Sequence, residues 1–272
     1  MKLEQVIEHK QMVGKLTDKL SAEMGVGIHI SKKKTFLQSL LDHIEENGCT
    51  PVQIFTGSTQ TWKRSTHNKE DVDATRQTII ANNMQFFIHS IYLINIGRTP
   101  EEIVPAHQYI KHEFELGKSL GCRGIVIHVG KHLKQSVLTG INNMKKNIEL
   151  FYPHIDPSCP LLLETPAGQG TECLTNIEDF INFYKTLNPT LVKICVDTCH
   201  VFQCNYCPLD YLHRIYETLP GSLVLVHFND SMCCKGECRD RHAYPGRGHI
   251  GLEKMNQIRV FCYTRRIPMV VE

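Results

Sequence analysis

Eight short apolar runs, each closed by turn-forming residues, recur along the chain. They are GVGIHIS from Gly25, PVQIFTG from Pro51, QFFIHS from Gln85, GIVIHVG from Gly124, LLLETP from Leu161, KICVDTCH from Lys193, LVLVHFND from Leu223 and IPMVVE from Ile267. Most are apolar at nearly every position rather than at alternate ones, the pattern of parallel strands covered on both faces. Between them, apolar residues repeat with helical spacing. Phe36, Leu37, Leu40, Leu41 and Ile44 fall on one predicted helical face. So do Ile177, Phe180, Ile181, Tyr184 and Leu187, and again Leu209, Leu212, Ile215 and Leu219. Pro100-Glu101-Glu102 supplies the chemistry of a helix start. Strand and helix alternate, which predicts an α/β fold, and eight strands predict a closed (β/α)8 TIM barrel over residues 25–272.

The alternation is uneven at its ends. No helix follows the eighth strand within this sequence, whereas residues 1–24 precede the first. Leu3, Val6, Ile7, Val13, Leu16 and Leu20 form an apolar stripe there, so residues 1–24 are predicted to be a helical extension that fills the slot of the missing eighth helix. The length of 272 residues suits one barrel, which needs roughly 250. No run approaches the roughly 18 apolar residues of a membrane span. The N-terminus lacks a signal-peptide core, and Glu4, Glu8 and Asp18 argue against an acid-poor transit peptide. A soluble, intracellular protein without a membrane partner is expected. The net charge of +2 neither demands nor excludes nucleic acid. The twelve cysteines, without a secretory signal, are expected to be thiols. Cys204 and Cys207 form a CxxC, and Cys233, Cys234 and Cys238 lie in another loop; an extra zinc site, a redox pair and chance proximity all remain open.

Polar residues concentrate where the predicted strands end. His29, His89, His128, Glu164, Asp197 with His200 beyond it, His227 and Glu272 occupy those ends. Taken singly, a strand-end histidine is more often a hydrogen-bonded structural residue, and a lone carboxylate a cap or a solvated loop group. Taken together they would crowd one rim of the barrel, where anions repel unless cations intervene. Imidazole and carboxylate without obligatory thiolate suit Zn²⁺, with Mn²⁺ or Fe²⁺ as substitutes. DTCH places Asp197 and His200 three apart where the chain leaves the sheet, and DRH places Asp240 and His242 at i and i+2, on one side of an extended segment.

In order along the chain, VQIFTGSTQTW, HSIYLIN, LLETPAGQG, VDTCHVF, HFNDS and DRHAYPGRGHIG resemble the endonuclease IV family of apurinic/apyrimidinic endonucleases, from about Gly25 to Glu272. The resemblance implies a (β/α)8 barrel with three Zn²⁺ ions, Mn²⁺ being a substitute. His89, His128 and Glu164 match the first ion's ligands. Glu164, as catalytic bridge, would share a second ion with Asp197, His227 and Glu272. His200, Asp240 and His242 match the third ion's ligands. Gln60, Trp62, Tyr92 and Arg241 fall at DNA-contacting positions. Lys63, Arg64, Lys131, Lys134 and Arg247 are further rim cations that either meet phosphates or are plain solvated surface. Some positions depart from the family pattern. Gln60 stands where the family often has an arginine, Ile91 and Lys131 where small serines are usual, and Arg247 where a glutamate is usual. Trp62 has two open readings, a wedge entering the duplex or an apolar plug beneath its loop.

The implied activity is hydrolysis of the phosphodiester 5′ to an abasic site in double-stranded DNA by a monomeric enzyme, leaving a 3′-hydroxyl and a 5′-deoxyribose phosphate. Two other functions compete. A xylose-isomerase-like sugar isomerase or epimerase shares the barrel and part of the donor set, but needs neither DTCH nor DRH. A non-catalytic relative that binds damaged DNA predicts an incomplete donor set.

Overall fold

The computed structural model describes residues 25–272, and the predicted extension over residues 1–24 lies outside the described residues. The strands are β1 Val26–Ile30, β2 Val52–Phe55, β3 Phe86–His89, β4 Ile125–His128, β5 Leu161–Glu164, β6 Val192–Asp197 and β7 Leu223–His227, then the two-residue strands β8 Asp230–Ser231 and β9 His242–Ala243, and finally β10 Met269–Val271. All but β8 and β9 pair in parallel in a closed barrel, with β10 joining β7 to β1; β8 and β9 form an antiparallel clip on the rim. The helices are α1 Phe36–Asn47, α2 Lys69–Ala81, α3 Val104–Leu120, α4 Val137–Phe151, α5 Ile177–Tyr184, α6 Thr198–Gln203, α7 Pro208–Thr218 and α8 Leu252–Thr264. The predicted (β/α)8 barrel is therefore the fold. Among the described residues no helix is long and apolar enough to cross a membrane.

Short polar residues start several helices. Side-chain oxygens of Thr35, Asn68, Ser136 and Asn176 accept from backbone N–H groups of the first turns of α1, α2, α4 and α5, satisfying donors that the helix leaves without partners. Outward residues of the strands, such as Val52, Ile54, Phe86, Ile88 and Leu161, pack into the main core with the helices. Inward residues form two stacked layers. Phe87, Val126, Leu162, Cys195, Leu225 and Val270 plug the barrel and are fully buried. Because side chains alternate along a strand, the residues two further on also point inward: His89, His128, Glu164, Asp197, His227 and Glu272. The apolar plug thus fixes the floor on which the polar layer stands. Gly27 belongs to the lower layer, and no side chain fits there, since a Cβ would stand 1.7 Å from the Pro51 carbonyl oxygen.

Two local expectations need correction. Leu41, expected on the core face of α1, is 45% exposed, whereas Leu40 is fully buried; the apolar face is carried by Phe36, Leu40 and Ile44, and Leu41 lies about 100° around the helix from Leu40. Pro100-Glu101-Glu102 does not open α3. Glu102 folds back to accept the Thr99 N–H at 3.0 Å, closing a separate turn, and the helix starts at Val104 with Pro105 in its first turn.

The two leucines test this face assignment. Leu40→Ala is expected to cost about 2–5 kcal/mol through the cavity it leaves, and Leu41→Ala to change stability by less than about 0.5 kcal/mol. Urea unfolding of the two variants measures both.

Candidate functional site

Glu164 is the hub of the polar layer and has no solvent exposure. Its Oε2 lies 3.2 Å from His89 Nε2 and 3.1 Å from His128 Nε2, and its Oε1 lies 3.0 Å from His227 Nδ1. The other nitrogens of the rings decide what these contacts mean. His89 Nδ1 donates to the Ser90 carbonyl at 2.7 Å. His227 Nε2 donates to Gln53 Oε1 at 2.9 Å. A neutral imidazole has a single N–H, so each ring then presents a bare lone pair to a carboxylate. Two lone pairs at that distance repel unless a proton or a metal ion lies between them.

The same arrangement recurs around the rim. His227 Nδ1 lies 3.2 Å from Glu272 Oε2 and 3.8 Å from Asp197 Oδ2. His200 Nδ1 donates to the Thr165 carbonyl at 2.8 Å, which directs its Nε2 toward Asp240 Oδ2 at 3.3 Å. His242 Nε2 lies 2.9 Å from Asp240 Oδ1. These two buried Nε2 atoms approach only carboxylate oxygens, and neither contact has hydrogen-bond geometry. Donor atoms within 4.8 Å of one another form the groups His89–His128–Glu164, Glu164–Asp197–His227–Glu272 and His200–Asp240–His242. These groups could hold metal ions: the donor types are those that suit a divalent cation such as zinc, and backbone carbonyls orient the rings of His89 and His200. A further group, Asp197–Cys199–His242, overlaps the last two. A cavity of about 320 Å³ opens over them and is lined by His89, Tyr92, His128, His200, Asp240, His242 and Glu272.

Electrostatics point the same way. Burial alone would favour neutral rings, but neighbouring groups outweigh it: Glu164 for His128, Asp197 with Asp240 for His200 and His242, and Cys195, then Glu272 and Glu164, for His227; all four are raised above the ordinary histidine value. Burial likewise opposes carboxylate charge, yet Glu164, Asp240 and Glu272 are all held low by the imidazoles. Without a metal ion, these shifts favour a proton on His128, His200, His227 and His242 facing their carboxylate neighbours.

Three buried polar residues that the sequence pattern does not single out hold the donors in place. Asn229 Nδ2 donates to Asp197 Oδ2 at 2.7 Å, and its Oδ1 accepts the Glu272 N–H at 2.9 Å. Asp230 accepts backbone N–H groups from Ser231, Gly246, Gly248, Ile250 and Gly251 at 2.7–3.2 Å. This wraps the PGRGHIG loop around one carboxylate and explains its glycines. Gly246 has φ +80°, which favours glycine, and a Cβ on Gly248 would stand 2.3 Å from the Ser231 carbonyl oxygen. Gln53, on β2, touches His227, Glu272 and His29. The HFND segment hints at the first two, because a polar pair directly follows a strand-end ligand; Gln53 is a lone polar residue within a strand run.

Of the four expected DNA-contacting residues, Tyr92 lines the cavity. Tyr92 is 57% exposed and its ring stacks on His128 at 5.6 Å between centroids. Burial of its hydroxyl, with the charges of Glu272 and Glu164, pushes the phenol up to about 12. Trp62 is 40% exposed and meets Tyr109 edge-on at 6.3 Å, so it neither fills the core nor stands free. Gln60, Lys63, Arg64, Lys134, Arg241 and Arg247 are exposed, whereas Lys131 pairs with Glu172 at 3.4 Å. All twelve cysteines are free thiols. Cys204 and Cys238 flank Gly168, and among the described residues neither they nor Cys207, Cys233 and Cys234 join a convergent donor group.

Comparison with known proteins agrees with this fold. Residues 41–258 match the family described as xylose isomerase-like TIM barrel, AP endonuclease 2. A "Probable endonuclease 4" of Bacillus cereus strain AH187 is 29% identical over 260 residues, covering 91% of this chain and 86% of the relative. The crystal structure of endonuclease IV from Thermus thermophilus superposes with a TM-score of 0.77 at 24% identity, covering 91% of each chain. A D-tagatose 3-epimerase-like protein superposes at 0.62 and 15% identity, covering 90% of each, so the barrel alone does not separate nucleases from sugar epimerases.

Two expectations follow. The raised histidines stabilise the metal-free fold fully below their ordinary value of about 6.5 and lose that contribution as pH rises through their folded values; the depressed carboxylates stabilise above about 4–4.5 and lose it as pH falls. Metal-stripped protein should therefore melt highest near pH 5–6, and zinc should raise the melting temperature most above about pH 7, with release of protons. A metal-free melting temperature still climbing toward pH 8 contradicts this. Asp230→Asn turns an NH2 toward N–H donors; it is expected to cost about 3 kcal/mol or more in chemical denaturation.

Proposed function

Since the chain belongs to the AP endonuclease 2 family of xylose isomerase-like TIM barrels, we propose that it is a DNA repair endonuclease that hydrolyses the phosphodiester 5′ to abasic sites in duplex DNA. The products are a 3′-hydroxyl and a 5′-deoxyribose phosphate. The observation that carries this reading is the outer group His200–Asp240–His242, which opens onto the same cavity as the buried groups built on Glu164. A phosphodiester needs stabilisation at the attacking oxygen, the non-bridging oxygens and the leaving oxygen, and three neighbouring cation sites meet that demand.

His89, His128 and Glu164 would hold one ion, Glu164, Asp197, His227 and Glu272 a second, and His200, Asp240 and His242 a third; zinc is the expected metal, with Mn²⁺ a substitute. Zinc bound there lowers the pKa of water from 15.7 toward about 7 and offsets phosphate charge. Glu164, offering one oxygen to each inner group, sets their spacing. Four carboxylates against three divalent ions leave a positive rim, which attracts a phosphate. Tyr92 keeps its proton at neutral pH and donates from the cavity mouth. Exposed Arg241, Arg247, Lys63 and Arg64 are the cations that would meet neighbouring phosphates. An abasic sugar has lost its stacking, so the backbone there bends out at low cost, and Gln60 and Trp62, on the loop after β2, are the side chains that would enter the gap. The donor set is complete, which disfavours a non-catalytic relative. A sugar isomerase needs no third group beside the inner ones.

A duplex carrying one tetrahydrofuran abasic analogue tests the proposal. Zinc-loaded protein is expected to nick 5′ to the lesion, and Glu164→Gln to lower kcat at least about 10²–10³-fold. A wild type that leaves the duplex intact, or interconverts a ketose instead, refutes it.

A further inference from the structure

We propose that Gln53 is a positioning residue of the centre: it fixes which nitrogen of His227 faces the metal group and anchors the Glu272 carboxylate. This rests on the metal-centre reading above. Gln53 stands on β2 in the lower inward layer, in register with Phe87 on β3 and His29 on β1. The plug residues Phe87, Val126, Leu162, Cys195, Leu225 and Val270 are apolar, yet Gln53 beside them is polar and fully buried. A buried amide in an apolar layer is costly unless its donors and acceptor are used, and here they are.

The direction of the amide is set by chemistry. Gln53 Nε2 lies 2.7 Å from Glu272 Oε1, and only the NH2 end can donate to a carboxylate. Oε1 therefore faces His227 Nε2, 2.9 Å away, and must accept its N–H. The ring's remaining nitrogen, Nδ1, is left as a lone pair directed at Glu164, Glu272 and Asp197. The second amide proton points to His29 Nδ1 at 3.0 Å. That contact is shorter than the 3.4 Å from His29 Nδ1 to Glu272 Oε1, so His29 Nδ1 accepts from Gln53 and leaves Glu272 to it. One amide thus ties β1, β2, β7 and the residue after β10 together at the level of the centre. The Glu272 N–H is held independently by Asn229, so the main chain is fixed by one residue and the carboxylate by another.

Gln53→Met keeps the length and removes every polar contact. Gln53→Glu keeps an acceptor for His227 but turns a carboxylate oxygen toward Glu272. Zinc affinity, measured by competition with a chromophoric chelator, should fall roughly 10- to 100-fold for the weakest-held ion in both. In zinc-loaded, 15N-labelled protein the slowly exchanging His227 Nε2–H signal should persist in Gln53→Glu and be lost to exchange in Gln53→Met. Unfolding of the metal-free forms identifies any variant that fails to fold, and the other then decides. A folded variant of either kind with wild-type zinc affinity overturns the assignment. If both lose zinc as expected while wild type does not nick abasic DNA, the positioning role stands and the proposed reaction falls; if wild type nicks and the variants bind zinc normally, the reverse holds.

Discussion

A fully buried carboxylate faces the lone pairs of imidazoles whose protons are committed elsewhere, and the rest of the site answers to that constraint. Glu164 cannot reach water, and the N–H groups of His89 and His227 are taken by a backbone carbonyl and by Gln53. Positive charge must enter from outside. Protons supply it when no metal is present, and divalent ions are the alternative that the donor types favour. A buried anion left unpaired would be severely destabilising, so occupancy of this centre and stability of the barrel's upper half are linked.

The barrel makes such a centre possible by layering. Alternation along parallel strands places an apolar plug below and donors two residues above it on the same strands. Rim loops complete what the strands begin. His200 arrives on the first turn of α6, whose N-cap is Asp197 itself, and His242 arrives on β9, clipped to β8. Asp230 then gathers the glycine-rich loop. Further down, Glu113 on α3 is fully buried; burial pushes its carboxyl up to about 8, against hydrogen bonds from Ser90 and Thr56. It joins the strand end that carries His89 to the loop that leads to Trp62.

The barrel was legible from strand periodicity, which also flagged donors at several strand ends, whereas the grouping of nine donors, with His200, Asp240 and His242 among them, was what the family resemblance implied. Runs of apolar residues that end on His, Glu or Asp announce a parallel barrel and its active rim together, and all nine expected donors fall into the three groups. Residues that position the donors were less legible, HFND giving only a hint of Asn229 and Asp230. Gln53 looks like a stray polar residue in an apolar strand, and only the closed barrel brings it against His227, 174 positions away. Asp230 reads as an ordinary turn carboxylate until the loop folds around it. Leu41 and the start of α3 failed for a local reason, since composition at a helix face or a helix start does not say which side the tertiary packing buries or which turn Glu102 closes.

The most direct test of the account is the element occupying the donor groups. Anomalous diffraction recorded on both sides of the zinc edge, from crystals of protein purified without chelator, locates zinc independently of any activity. The account predicts three peaks, one within each of the groups His89–His128–Glu164, Glu164–Asp197–His227–Glu272 and His200–Asp240–His242. Zinc-replete crystals with no anomalous density among these residues would contradict it.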